Sequence, residues 1–142
     1  VEAHRLNPER NSGSGWTVLA GGTRSWRAIT TAVADVAVAN GSELTVGSVT
    51  ITDAAAGDYL LLGTINAYST TVAIAADVRF YAGATQLCDL RNDLPVNVSL
   101  AQTHSWTYSH AGGTVTLSFR FIVASGTNRR QTCGEGLVVT RL

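Results

Sequence analysis

Four side chains able to do chemistry share one face of one short stretch: His104, Trp106, Tyr108 and His110 alternate with Thr103, Ser105, Thr107 and Ser109. Histidine among serines and threonines raises the possibility of a hydrolase, whose nucleophile needs a base and an orienting carboxylate. The chain has no Gly-x-Ser-x-Gly turn, and neither histidine has an acidic partner nearby in sequence. As metal ligands the two histidines would stand roughly 20 Å apart along a strand, at about 3.3 Å per residue. One ion within a single chain cannot span that distance, so a metal would need neighbouring strands or a threefold axis. The rings allow two further uses: packing in a sandwich or a subunit contact, or stacking on a sugar at a receptor-binding surface.

The remaining reactive residues are scattered. Six Asp and four Glu include no cluster that singles out a glycosidase pair. Asp53 and Asp58 flank a turn and read as turn and capping residues. Gly21-Gly22 and Gly112-Gly113 open no helix, so they are not phosphate loops. Cys88 and Cys133 can form one disulfide or stay as two buried thiols, and without a Cys-x-x-Cys pair structural zinc is not expected. The chain therefore reads as a non-enzyme with no cofactor and no metal.

Its 142 residues suit one domain with a workable core. Hydrophobic residues make up 45% and charged residues 14%, with ten arginines and no lysine, which fits GC-rich coding or a largely covered surface. A net charge of zero removes the electrostatic footprint of general nucleic-acid binding, so no nucleic-acid partner is expected. Arg129-Arg130 is the only basic pair and reads as a solvated turn. No stretch has the length of a membrane-spanning helix and the first residues lack a signal pattern, so a soluble chain with no membrane partner is expected.

The elements that must hold the reactive face are strands. Val115, Leu117, Phe119, Phe121 and Val123 alternate with Thr114, Thr116, Ser118 and Arg120, the period of a half-buried strand. Tyr59 to Leu62 is apolar on both faces, as in a central strand or one at a subunit interface, which makes Tyr59 and Leu61 candidates for such a contact. Ile74, Ala76, Val78 and Phe80 alternate with Asp77, Arg79 and Tyr81. Leu44–Val46 and Val49–Ile51 alternate out of phase across Gly47-Ser48, which predicts a β-bulge. Residues 28–39 read as extended or irregular, Asn92 to Pro95 as a turn and Val96 to Leu100 as a short strand. The final segment is apolar up to Leu142, which predicts an end buried in a sheet or against another subunit.

Residues 1–15 carry little apolar surface and close in a Gly/Ser hinge. They read as a floppy terminus or as a flexible arm that docks on a partner, the arm having His4, Arg5, Leu6, Asn7, Pro8 and Arg10 as its binding residues. Residues 16–142 form the domain, beginning with short strands at Trp16–Leu19 and around Trp26. Eight to ten short strands and no convincing helix predict an all-β fold, an antiparallel two-sheet sandwich.

Three segments in order carry a family likeness: Ala56-Gly57-Asp58-Tyr59-Leu60, Gly112-Gly113-Thr114-Val115-Thr116-Leu117, and Gly136-Leu137-Val138-Val139-Thr140-Arg141-Leu142. Together they resemble the tumour-necrosis-factor-like jelly roll, and more narrowly small bacteriophage virion proteins of that fold. The resemblance covers residues 44–142 and implies a homotrimer in the virion, on the capsid surface, assembled in the host cytoplasm. It implies a head decoration (cement) protein that bridges neighbouring major capsid protein subunits, with the arm as the clamp. The alternative it allows is a fibre tip or knob that binds a host-surface saccharide through the face of His104, Trp106, Tyr108 and His110. Under either role that face, with Tyr59, Leu61 and Leu142, is the expected oligomer contact or ligand surface.

Overall fold

The computed structural model describes residues 25–30, 34–38, 41–70, 74–123, 127–131 and 135–142. Ten strands run in order: β1 (Ser25–Ile29), β2 (Ala34–Val38), β3 (Glu43–Ala54), β4 (Gly57–Ser69), β5 (Ile74–Ala82), β6 (Thr85–Leu94), β7 (Leu100–His110), β8 (Gly113–Val123), β9 (Thr127–Gln131) and β10 (Gly136–Arg141). One sheet, A, runs β1-β10-β4-β7, with β9 and then β2 continuing from the far end of β4. The other, B, runs β3-β8-β5-β6. Among the described residues every strand pair is antiparallel, and the chain changes sheet at six of its nine connections, staying in one sheet from β1 to β2, from β5 to β6 and from β9 to β10. The expected antiparallel jelly-roll sandwich is the observed fold.

Alternation explains which face each strand buries. On β4, Tyr59, Leu61, Ile65 and Ala67 are at most 1% exposed, while Leu60, Leu62, Thr64 and Asn66 are half-buried on the outer side. On β8, Leu117, Phe119 and Phe121 are fully buried, facing Val78 and Phe80 of β5 within the same core. The phase slip foreseen near Gly47 is a register shift between Thr45 and Gly47. It lets β3 press on the last strand: a Cβ at Gly47 would lie 2.7 Å from the Leu137 nitrogen. At the centre Gly63 leaves room for the Phe119 ring, which a Cβ there would meet at 2.3 Å.

Residues 28–39 include the last two residues of β1 and all of β2, in line with an extended reading. Three local expectations need correction. Arg129-Arg130 is not a turn, since both residues lie in β9 and pair with β2. Asn92–Leu94 is not a turn: β6 continues through Leu94, because Ile74 and Ala76 of β5 pair with Leu94 and Asn92. Nor is Val96–Leu100 a strand; Val96 makes one parallel bridge to Ser69, Asn97 takes the left-handed conformation, and β7 begins only at Leu100. The arm with its candidate residues, the stretch Trp16–Leu19 and Cys133 lie outside the described residues.

The outer face of sheet B is stitched across its strands by charge. The Glu43 carboxylate accepts from Arg120 at 2.8 Å, from Arg79 at 3.2 Å and from the Tyr81 hydroxyl at 2.9 Å. Arg79 also pairs with Asp89, and the Arg120 guanidinium lies 4.0 Å from the Tyr81 ring centre. Burial alone would raise the Glu43 carboxyl, but the bonds from Arg120, Tyr81 and Arg79 outweigh it and hold it below its ordinary value.

Candidate functional site

Strand β7 lies at the margin of sheet A and pairs with β4 along its whole length, from Gly57↔His110 to Ala67↔Leu100. Tyr59 stands opposite Tyr108, Leu61 opposite Trp106 and Gly63 opposite His104. Cross-strand partners share a face, so the four candidates of β7 point the same way as Tyr59 and Leu61, towards sheet B. Thr103, Ser105, Thr107 and Ser109 face out. Spacing alone predicted this common face; the structure divides it by depth.

Three of the four are engaged in structural contacts. His110 lies 3.0 Å through Nε2 from the Gly113 carbonyl, and its Nδ1 is 3.1 Å from the Tyr108 hydroxyl. A carbonyl only accepts, so Nε2–H donates to Gly113, while the contact between Nδ1 and the Tyr108 hydroxyl can run in either direction. Both rings also pack together at 5.7 Å, and Tyr59 meets His110 edge-on at 6.2 Å. His104 reaches across the sandwich, its Nε2 2.7 Å from Oδ1 of the buried Asn92 on β6. Burial pushes its pKa down, and its ring lies 6.4 Å from Phe119. One residue along the same face, Gln102 donates to the Asp93 carbonyl at 2.8 Å. These two bonds join the margins of the two sheets.

Trp106 differs, being 37% exposed although it faces inward. With Asn92 bonded to His104 and Asp93 to Gln102, the next inward position of β6 is Leu90, which is half-buried. Near the start of β7, Leu100 is 47% and Val98 62% exposed. Tyr59 and Leu61, offered as contact residues, are core residues at 1% and 0% exposure and are unavailable to a partner. Their neighbours Leu60 and Leu62 occupy the outer face instead, with Val138 of β10 and Ile29 of β1, all half-buried. The expectation of a buried chain end needs division as well. The Leu142 N–H is bonded to the Asp58 carbonyl at 2.9 Å, so the backbone belongs to the sheet, but its side chain is 64% exposed in the single chain.

Other chemistry is sparse. Asp53 takes a left-handed conformation, in line with the turn role given to it, whereas Asp58 is a strand residue of β4 that accepts from the hydroxyl of its cross-strand partner Ser109. Cys88 is a half-buried free thiol on the inner side of β6, its pKa raised by burial. Among the described residues no three His, Cys, Asp or Glu side chains converge to hold a metal ion, and no helix is long and apolar enough to cross a membrane. Sequence inspection missed Asn92, Gln102 and the Glu43 network, because each is defined by a partner on another strand. The alternation in β6 was the one available signal for Asn92.

No protein-family model matches the chain, and no curated protein matches it. Solved structures do. A chain of infectious bursal disease virus Gt strain superposes with a TM-score of 0.57 at 12% identity, covering 89% of this chain and 35% of that one. The C-terminal domain of EclA, a sugar-binding protein, aligns over 96% of this chain and 97% of its own, at 17% identity and a TM-score of 0.47. The C-terminal CBM6 of the marine laminarinase LamC from Zobellia galactanivorans aligns over 82% and 99%, at 15% identity and 0.48. At such identities the likeness is one of fold. With the strand order described above, it makes this chain an antiparallel jelly-roll sandwich, an architecture it shares with a viral chain.

Proposed function

We propose that the chain is a structural virion protein that works as a homotrimer, decorating a bacteriophage head and bridging neighbouring capsid subunits without catalysing a reaction. The observation that carries this is the outer face of sheet A, where Leu60 and Leu62 of a central strand, Val138 and Ile29 form a half-buried apolar stripe bordered by serines, threonines and Arg27. A sandwich needs one apolar face per sheet; a second one is explained by burial against another copy. The arm of residues 1–15 would supply the tether, three on each trimer reinforcing one another. Light scattering should give three times the chain mass, and Leu62→Arg should give a folded monomer. Deleting residues 1–15 should leave the trimer intact and abolish capsid binding; binding at full strength by that truncation overturns the clamp.

A second reading, a fibre tip that binds a host-surface saccharide, is favoured by one observation, the 37% exposure of Trp106. An aromatic ring beside polar groups suits the apolar face of a sugar. Trp106→Ala should then remove glycan binding and leave the fold and mass unchanged. Loss of the oligomer in that variant would assign the ring to a subunit contact.

A further inference from the structure

The margins of the two sheets are not equally protected. Unpaired strand edges attract other strands, and proteins blunt them with shortness, bulges or charge. Strands β1 and β2 have five residues each. Strand β3 is broken by register shifts after Thr45 and after Ile51. Strand β6 carries Asp89, Arg91 and Asp93. Strand β7 has none of these devices. Its eleven residues pair with β4 without a shift and include no Asp, Glu, Lys, Arg, Pro or Gly. Among the described residues nothing pairs with its other side. In an antiparallel ladder alternate residues of such a strand turn both N–H and C=O outward, so about five residues of β7 present unpaired backbone. Three of the four large apolar side chains most exposed among the described residues, Val98, Leu100 and Trp106, lie on or beside it.

We propose that the free edge of β7 is a strand-pairing site for a second copy of this chain, and that it receives β1 of that copy. This rests on the trimer described above and names its contact. Direction and level together select β1: β1 is antiparallel to β10, β10 to β4, and β4 to β7, so β1 and β7 run oppositely at opposite margins of sheet A, with Arg27 level with Ser105; β2 runs the same way at that margin but only reaches the end of β7, Val36 lying level with Leu100. Rotation about an axis along the strands preserves direction, so β1 of one copy meets β7 of the next antiparallel. That contact is head-to-tail and closes into a ring. Pairing of β7 with another β7 would need a twofold axis and would stop at two copies.

The side chains agree with this choice. Outward-facing Ser25, Arg27 and Ile29 of β1 continue the row of Thr103, Ser105 and Thr107, and inward-facing Trp26 and Ala28 continue that of Leu100 and Trp106. Three sheets joined in this way enclose a prism, and turning their outer faces to its axis covers Leu60, Leu62 and Val138.

Paired cysteines on the outward positions test the contact. In a Cys88→Ser, Cys133→Ser background, Arg27→Cys is combined in turn with Thr103→Cys, Ser105→Cys or Thr107→Cys, all at exposed positions, and oxidised mildly. Within one copy β1 and β7 are three strand spacings apart, roughly 14 Å at about 4.8 Å each, beyond the reach of a disulfide. The expected result is that at least one pair gives a covalent ladder ending at three chains, while each single variant stays unlinked. Linking by Ser105→Cys alone would mean that two β7 edges pair and would overturn the proposal. A trimer by light scattering in which no pair links overturns the edge contact but leaves the trimer: alternate β7 amides exchanging fast would then mean an unpaired edge, and protected amides would mean that residues 1–24 or another partner occupy β7. A monomer at all concentrations overturns both.

Discussion

Gly63→Ala is the perturbation most directly worked from the structure. Gly63 lies mid-strand on β4 opposite His104, and the Phe119 ring rests on it from the other sheet. A methyl there would sit 2.3 Å from Phe119 Cδ1, 2.4 Å from Cγ and 2.5 Å from Cε1, well inside carbon–carbon contact, with Phe80 blocking the far side at 4.9 Å between ring centres. Elsewhere in a strand, Gly to Ala gains about 0.5–1 kcal/mol by reducing chain entropy. Here the two sheets must separate or the ring leave its rotamer, and overpacking of this kind costs about 1–3 kcal/mol. We expect a net loss of about 2 kcal/mol, or a fall in Tm of about 6 °C for a domain of this size. Urea unfolding followed by tryptophan fluorescence measures it. A double-mutant cycle isolates the cause: Phe119→Leu removes the flat ring, so Gly63→Ala should cost at least about 1 kcal/mol less in that background. Additivity within about 0.5 kcal/mol, or a Gly63→Ala variant as stable as the parent, would refute the contact. It would also loosen the account of β7, since His104 leans on the same ring.

The remaining predictions concern charge and protons. Glu43→Gln should cost about 1 kcal/mol at neutral pH, because a single carboxylate serves two arginines and a tyrosine in a partly exposed network. The Glu43 carboxyl is held below its ordinary 4.5 in the folded chain, so its contribution is complete above that value and lost as pH falls through the lower folded one. Urea midpoints of parent and variant should therefore converge as pH falls below 4.5 and through the lower folded value; a constant gap would refute the assignment. His104 has a folded pKa below its ordinary 6.5, so the unfolded chain binds the proton more readily and stability should fall as pH drops below that value. His104→Gln should remove that part of the slope between about pH 7 and pH 5, and an unchanged slope would place its origin elsewhere.

Sequence alone determined what depends on neighbours along the chain. The period of two marks β5, β7 and β8 and says which side chains share a face, because a one-residue slip would reverse every one of them. The bulge near Gly47 was visible as a break in that phase. The common face of His104, Trp106, Tyr108 and His110 was visible too, but alternation cannot say how deep a face lies. Depth depends on which strand of the opposite sheet arrives, and that is set over long separations. Thus Asn92, placed in a turn by its Asn-Asp-Leu-Pro context, became a strand residue because β5 pairs past it, and it then captured His104. Tyr59 and Leu61 became core while Leu60 and Leu62 were left outside, a division that needed sheet B to be seen. The unprotected margin of β7 belongs to the tertiary structure as well: a strand's sequence records its charge and regularity, and only the topology shows that nothing among the described residues lies beside it.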